Sequence, residues 1–235
     1  METNQILSSK FGFYTSIALT IMTILTFGLA MIAIPPSGPY CPGNCMDYPF
    51  NDLLNYYPKD YHWMYFAIFQ LFAFLIFVIS VHYVASFEKK VFSFTSVAFA
   101  LISTTVLLAD YFIQFTVIPI SMMKGETEGI ALFTQYNGHG IFIALEELGY
   151  ITMSIALFFM APVFSSSNLL EKSIRWLLIS PFVLSFIAFV VYSILFGIDR
   201  SYRFEVASIS TNWLFIVAAG ILISIFFKRI INAKT

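Results

Sequence analysis

The chain has 235 residues, of which 59% are hydrophobic, 19% aromatic and 11% charged. An ordinary soluble domain carries roughly 25% charged residues, so this balance excludes a water-soluble globule and points to a lipid-embedded protein. A formal net charge of −1 and the absence of a basic stripe exclude nucleic acid as a partner.

A helix must supply about 20 consecutive mostly apolar residues to cross a hydrocarbon layer of about 30 Å. Six stretches do so, at residues 11–34, 62–86, 91–120, 138–164, 174–197 and 204–227. The expected fold class is therefore all-α: a polytopic membrane protein, one compact bundle of six transmembrane helices over residues 1–235 with no second domain. In the first span, Gly12, Ser16, Thr20, Thr23 and Ala30 keep one face small, which assigns that face to helix packing. The span exceeds the roughly 7–15 apolar residues of a signal peptide and lacks a small-x-small cleavage site, so it is expected to be retained.

The loop 35–61 holds both cysteines, Cys41 and Cys45, in "CPGNC". Pro-Gly-Asn is turn chemistry that brings its flanks together, and an external loop lies in a compartment where thiols pair. The main reading is a disulfide staple. A thiol-redox site is the alternative, although transmembrane thiol relays use two dithiol pairs and this chain has one. The remainder, "MDYPFNDLLNYYPKDYHW", suits a membrane interface, with residues 51–57 as a short interfacial helix, and a loop this long is either a lid or a tethered surface segment.

The later spans carry polar residues where lipid makes them costly, on the order of 3 kcal/mol for a charge at the bilayer centre. Counted inward from the loop end of each span, Gln70 and Asn212 each lie eight residues deep, about 12 Å; Asp110 lies nine before Pro119, about 13 Å; and Glu146 lies seven beyond His139, about 10 Å. Helical spacing aligns Asp110 with Gln114. It aligns His139, Glu146 and Tyr150 on one stripe and turns Glu147 about 100° away. Glu205, Ser208 and Asn212 form a polar line in the sixth span, beside a Trp213 too deep for an aromatic belt. His82 reads as a packing residue near the opposite end.

With the N-terminus cytoplasmic, Lys10, Lys89, Lys90, Lys172, Arg175, Lys228, Arg229 and Lys234 face inward and Lys59, Lys124, Arg200 and Arg203 outward, which follows the positive-inside rule. Both termini are then cytoplasmic and the polar residues sit in the outer-leaflet half. No phosphate-binding loop, HExxH or nucleophile elbow occurs, and His62 and His139 lack metal or haem spacing, so no cofactor and no metal is expected.

Three functions fit. The first is a carboxylate-containing pocket that binds, and could chemically alter, a lipophilic small molecule. Glu146 and Asp110 are then the catalytic candidates, and Gln70, Gln114, His139, Glu147, Tyr150, Asn212 and Trp213 the ligand contacts. The second is proton-coupled transport of a small solute, with Pro162 and Pro181 as helix irregularities. The third is a structural subunit of a membrane complex, in which these groups only hydrogen-bond between helices. Membrane lipids are partners in each, and an oligomer is compatible with all three.

"QYNGHGIFIALEELGY" at 135–150 and "FEVASISTNWL" at 204–214 resemble blocks of an uncharacterised family of prokaryotic six-span membrane proteins. The resemblance covers most of the chain and implies a multi-pass protein of a prokaryotic plasma membrane. It brings no activity with it.

Overall fold

Backbone polar groups have no water partners inside a bilayer, so apolar runs of this length satisfy them internally as helices. The computed structural model describes residues 2–33 and 35–233. Ile34, at the end of the first expected span, and Lys234, counted with the inward charges, lie outside the described residues. The helices are α1 (Glu2–Ile32), α2 (His62–Val84), α3 (Lys90–Thr116), α4 (Ile118–Met123), α5 (Ile130–Phe133), α6 (Ile141–Met160), α7 (Leu169–Phe196) and α8 (Ser201–Asn232). Among the described residues there is no strand, and six helices, all but α4 and α5, are long and apolar enough to cross a membrane. The chain is an all-helical, multi-pass membrane protein.

Two boundaries differ from the sequence expectation for local reasons. The third span breaks at Val117, because Pro119 has no N–H and opens the short helix α4 instead of continuing α3. The fourth begins at Ile141 rather than 138: Asn137 and Gly140 close turns, and Gly140 is extended. A Cβ on Gly140 would press into the Leu132 carbonyl, so only glycine lets α5 approach the start of α6 this closely.

The spans form a ring in the order α1, α2, α3, α6, α7, α8 and back to α1, with α6 also touching α8 across it. Helix α6 is the most enclosed, with 61% of its apolar window buried, and α7 the least, with 17%. Small residues make the close contacts. Ser96 Oγ donates to the Ala156 carbonyl at 2.7 Å and Ser103 Oγ to that of Gly149 at 2.8 Å, locking α3 to α6. Ser16, Thr20 and Thr23 are buried on α1, where Gly12 accommodates the Phe227 ring of α8. At the same end as Gly12, His82 bonds Ser93 Oγ at 2.8 Å and packs α2 on α3.

The loop after α1 folds over one end of the ring. Met46, Phe50 and Leu53 are buried beneath it, Ser37 Oγ donates to the Tyr136 carbonyl at 2.6 Å, and Gly38, at φ 73°, lies against the Tyr202 ring. The short helix expected at 51–57 is present as a 3-10 turn, Asn51–Tyr56. Its Leu53 points into the protein, while Asn51, Asp52 and Asn55 are exposed. Cys41 and Cys45 are joined by a disulfide, with Cα atoms 5.9 Å apart, beyond the buried part of the loop. A ring this short restrains the unfolded chain by about 2 kcal/mol. Cys41→Ser/Cys45→Ser is therefore expected to speed limited proteolysis within 38–47 and to lower the stability of the folded chain by at most about 2 kcal/mol, read from thermal unfolding in detergent.

Candidate functional site

Where the first loop meets the segment 134–140, a cavity of about 290 Å³ descends between α1, α2, α6 and α8. The positions that reach it follow from helical spacing. On α6, Phe142, Ile143, Glu146, Gly149, Tyr150 and Met153 form the buried face. On α8, Glu205, Ile209 and Trp213 line the cavity at successive i, i+4 steps.

Glu146 is 1% exposed and its Oε1 accepts a hydrogen bond of 2.8 Å from Tyr111 Oη on α3. Tyr111 spends its only proton there, so the 2.8 Å contact between the two phenols is donated by Tyr150. Glu205 of α8, which is 6% exposed, lines the cavity beside Glu146, close enough for the two carboxyl groups to interact. A carboxylate has no donor, so any direct bond between the two requires at least one of them to carry a proton. A directed chain thus runs from Tyr150 through Tyr111 to Glu146, with Glu205 beside it in the cavity wall. Aromatic rings enclose it: Trp63 packs edge-on against Tyr111 at 5.2 Å and Trp213 against Tyr150 at 5.9 Å, and Phe27 closes on Trp213 at 5.5 Å.

A third carboxyl, Asp60, lines the mouth and accepts from Tyr136 Oη at 3.4 Å. Burial, then the neighbouring Tyr61 and Asp60, push the Tyr136 phenol well above its ordinary pKa, so it stays a neutral donor. Tyr40 at the same mouth is also raised, chiefly by partial burial.

The residues singled out from sequence separate into groups. Glu146 and Trp213 line the cavity, and Tyr150 stands behind them. Glu147, on the adjacent face, pairs with Arg200 at 3.1 Å. Asp110 is buried beside Tyr111, close enough to sense the Glu146 charge, but it does not line the cavity and its Oδ2 has no hydrogen-bond partner among the described residues. Gln114 clamps the segment after α5, donating to the Phe133 carbonyl and accepting from Gln135 N at 3.0 Å. Asn212 donates to the Tyr150 carbonyl at 3.2 Å and to that of Ser208 at 2.9 Å, tying α8 to α6. Gln70 is buried in α2 away from the cavity. His139 is exposed and precedes α6, so it is not on the Glu146 stripe. Among the described residues no group of three His, Cys, Asp or Glu side chains could hold a metal ion.

Sequence reasoning left out Glu205, Tyr111, Trp63, Tyr136 and Asp60 as site residues. One signal was available for Tyr111, which lies four residues after Leu107 and three before Gln114, on the buried stripe of α3. No family model matches the chain, and no curated protein or solved structure matches it. The site therefore has to be argued from its own chemistry.

The Arg200–Glu147 pair gives one test of that geometry. Its two side chains are 22% and 13% exposed, and the guanidinium also covers the Phe189 ring at 4.4 Å. Arg200→Ala is expected to cost about 1 kcal/mol in thermal unfolding in detergent. Arg200→Lys should recover less than half of it, because an ammonium keeps the charge but not the planar stacking.

Proposed function

We propose that the protein sits in a prokaryotic plasma membrane with this cavity facing outward, where it binds a lipophilic small molecule. The observation that carries the reading is the Glu146–Glu205 pair, contributed by two different spans at the base of an aromatic-walled cavity. Two adjacent carboxyls that served only to join α6 and α8 would be expected to be packed dry; these two border open space. The cavity is near the lower end of the roughly 300–1,000 Å³ usual for ligand pockets, and it has the usual composition of mostly apolar walls with a few convergent polar groups. The protonated member of the pair can donate and the other accept, so the site has the parts for general acid–base chemistry on a bound molecule. In this arrangement Glu205, not Asp110, is the direct partner of Glu146.

Mass spectrometry of molecules retained after gentle purification tests the proposal. The parent protein is expected to carry a defined lipophilic species that Glu146→Gln loses. Retention of only bulk lipid, equal in both, would reject it.

A further inference from the structure

We infer that the preferred ligand is an organic cation, a lipophilic quaternary or protonated amine, held with its charged head among Trp63, Trp213 and the Glu146–Glu205 pair. The inference rests on the cavity being a ligand site and adds the class of ligand.

The charge balance of the cavity motivates it. Among the described residues three carboxyls line it, Glu146, Glu205 and Asp60, and no Lys, Arg or His does. The nearby cations have other contacts: Arg200 pairs with Glu147, Arg203 lies over the Phe196 ring at 4.2 Å and donates to the Asp199 carbonyl at 3.4 Å, and Lys59 is exposed beside Asp60 at the mouth. No basic side chain lines the cavity beside the glutamate pair, so any negative charge on it at depth has no counter-ion there. A buried, unpaired charge is costly, and a bound cation removes that cost.

The walls select the kind of cation. A metal ion needs several converging oxygen, nitrogen or sulfur ligands, and the described residues offer no such group. What lines the cavity with the carboxyls is aromatic: Phe27, Trp63, Phe142, Tyr136, Tyr202 and Trp213. Aromatic faces attract weakly hydrated alkylammonium heads, and rings combined with carboxylates are the usual construction for them. The same rings accept an apolar tail, and an anion would meet three carboxyls and no compensating base.

The test uses two probes of one shape that differ by one charge, benzyltrimethylammonium and its neutral carbon isostere neopentylbenzene. Binding to the full-length protein in detergent is read from tryptophan fluorescence in a Trp176→Phe background, because Trp176 is exposed on α7 and the other two tryptophans flank the cavity. The cation is expected to bind at least ten-fold more tightly than the isostere. Glu205→Gln should bring that ratio toward one, and Asp60→Asn, at the mouth, should lower it less and serves if the first variant does not fold. Equal or tighter binding of the isostere overturns the cation inference and leaves lipophilic binding standing. Binding of neither probe overturns both.

Discussion

Glu146→Ala is expected to destabilise the bundle by about 3 kcal/mol, measured as the shift in thermal or SDS-induced unfolding in micelles. The substitution removes the acceptor for Tyr111 Oη, the partner of Glu205 and the volume of a buried side chain in one step. Each stranded polar group costs about 1–3 kcal/mol where water is excluded, and the void adds to it. Glu146→Gln fills the same space, still accepts from Tyr111 and offers its amide N–H to Glu205, so its cost should be about 1 kcal/mol. The separation between the two variants is the informative quantity. Equal, small effects would mean that the carboxyl chain is hydrated and carries little of the packing.

The second large effect is expected at Gly149. A Cβ at this position would overlap the Leu107 side chain of α3, and the Gly149 carbonyl receives the Ser103 hydrogen bond at 2.8 Å. Gly149→Val forces α6 away from α3, which loosens the Ser96 and Ser103 bonds and moves Glu146 from Tyr111. Overpacking of this kind costs about 1–3 kcal/mol. It should also lower ligand retention without removing any group that lines the cavity. Leu107→Ala, which opens space for the new methyls, is expected to restore part of both; absence of any rescue would show that the contact is not what limits the approach of the two helices.

The six spans were legible because each apolar run is long enough to cross a bilayer and is interrupted by charges or prolines. The divergence of Glu146 and Glu147 was legible too, since a 100° step per residue places neighbours on different faces. Depth could be read along one helix, but azimuth between helices could not. Gln70, Asp110, Glu146 and Asn212 share a level by residue counting, yet only Glu146 of the four lines the cavity, because the rotation of each helix is set by contacts such as Ser103 with Gly149 and Gly12 with Phe227. Glu205 was hidden for a different reason. It stands at the head of the polar line with Ser208 and Asn212, in the first turns of its span, and it is the fold of the loop 35–61 over that end of the ring that places it under cover.

Closure of the ring by α8 sets an order of events during synthesis. Glu146 enters the membrane on the fourth span, with Tyr111 already available from the third, but Glu205 and Trp213 arrive only with the sixth. Until residues 201–232 have inserted, the nascent protein holds a carboxyl group in lipid with phenols as its only partners, and no cavity exists. Assembly of the site thus requires α8, which supplies Glu205, Ile209 and Trp213 as one wall of the cavity.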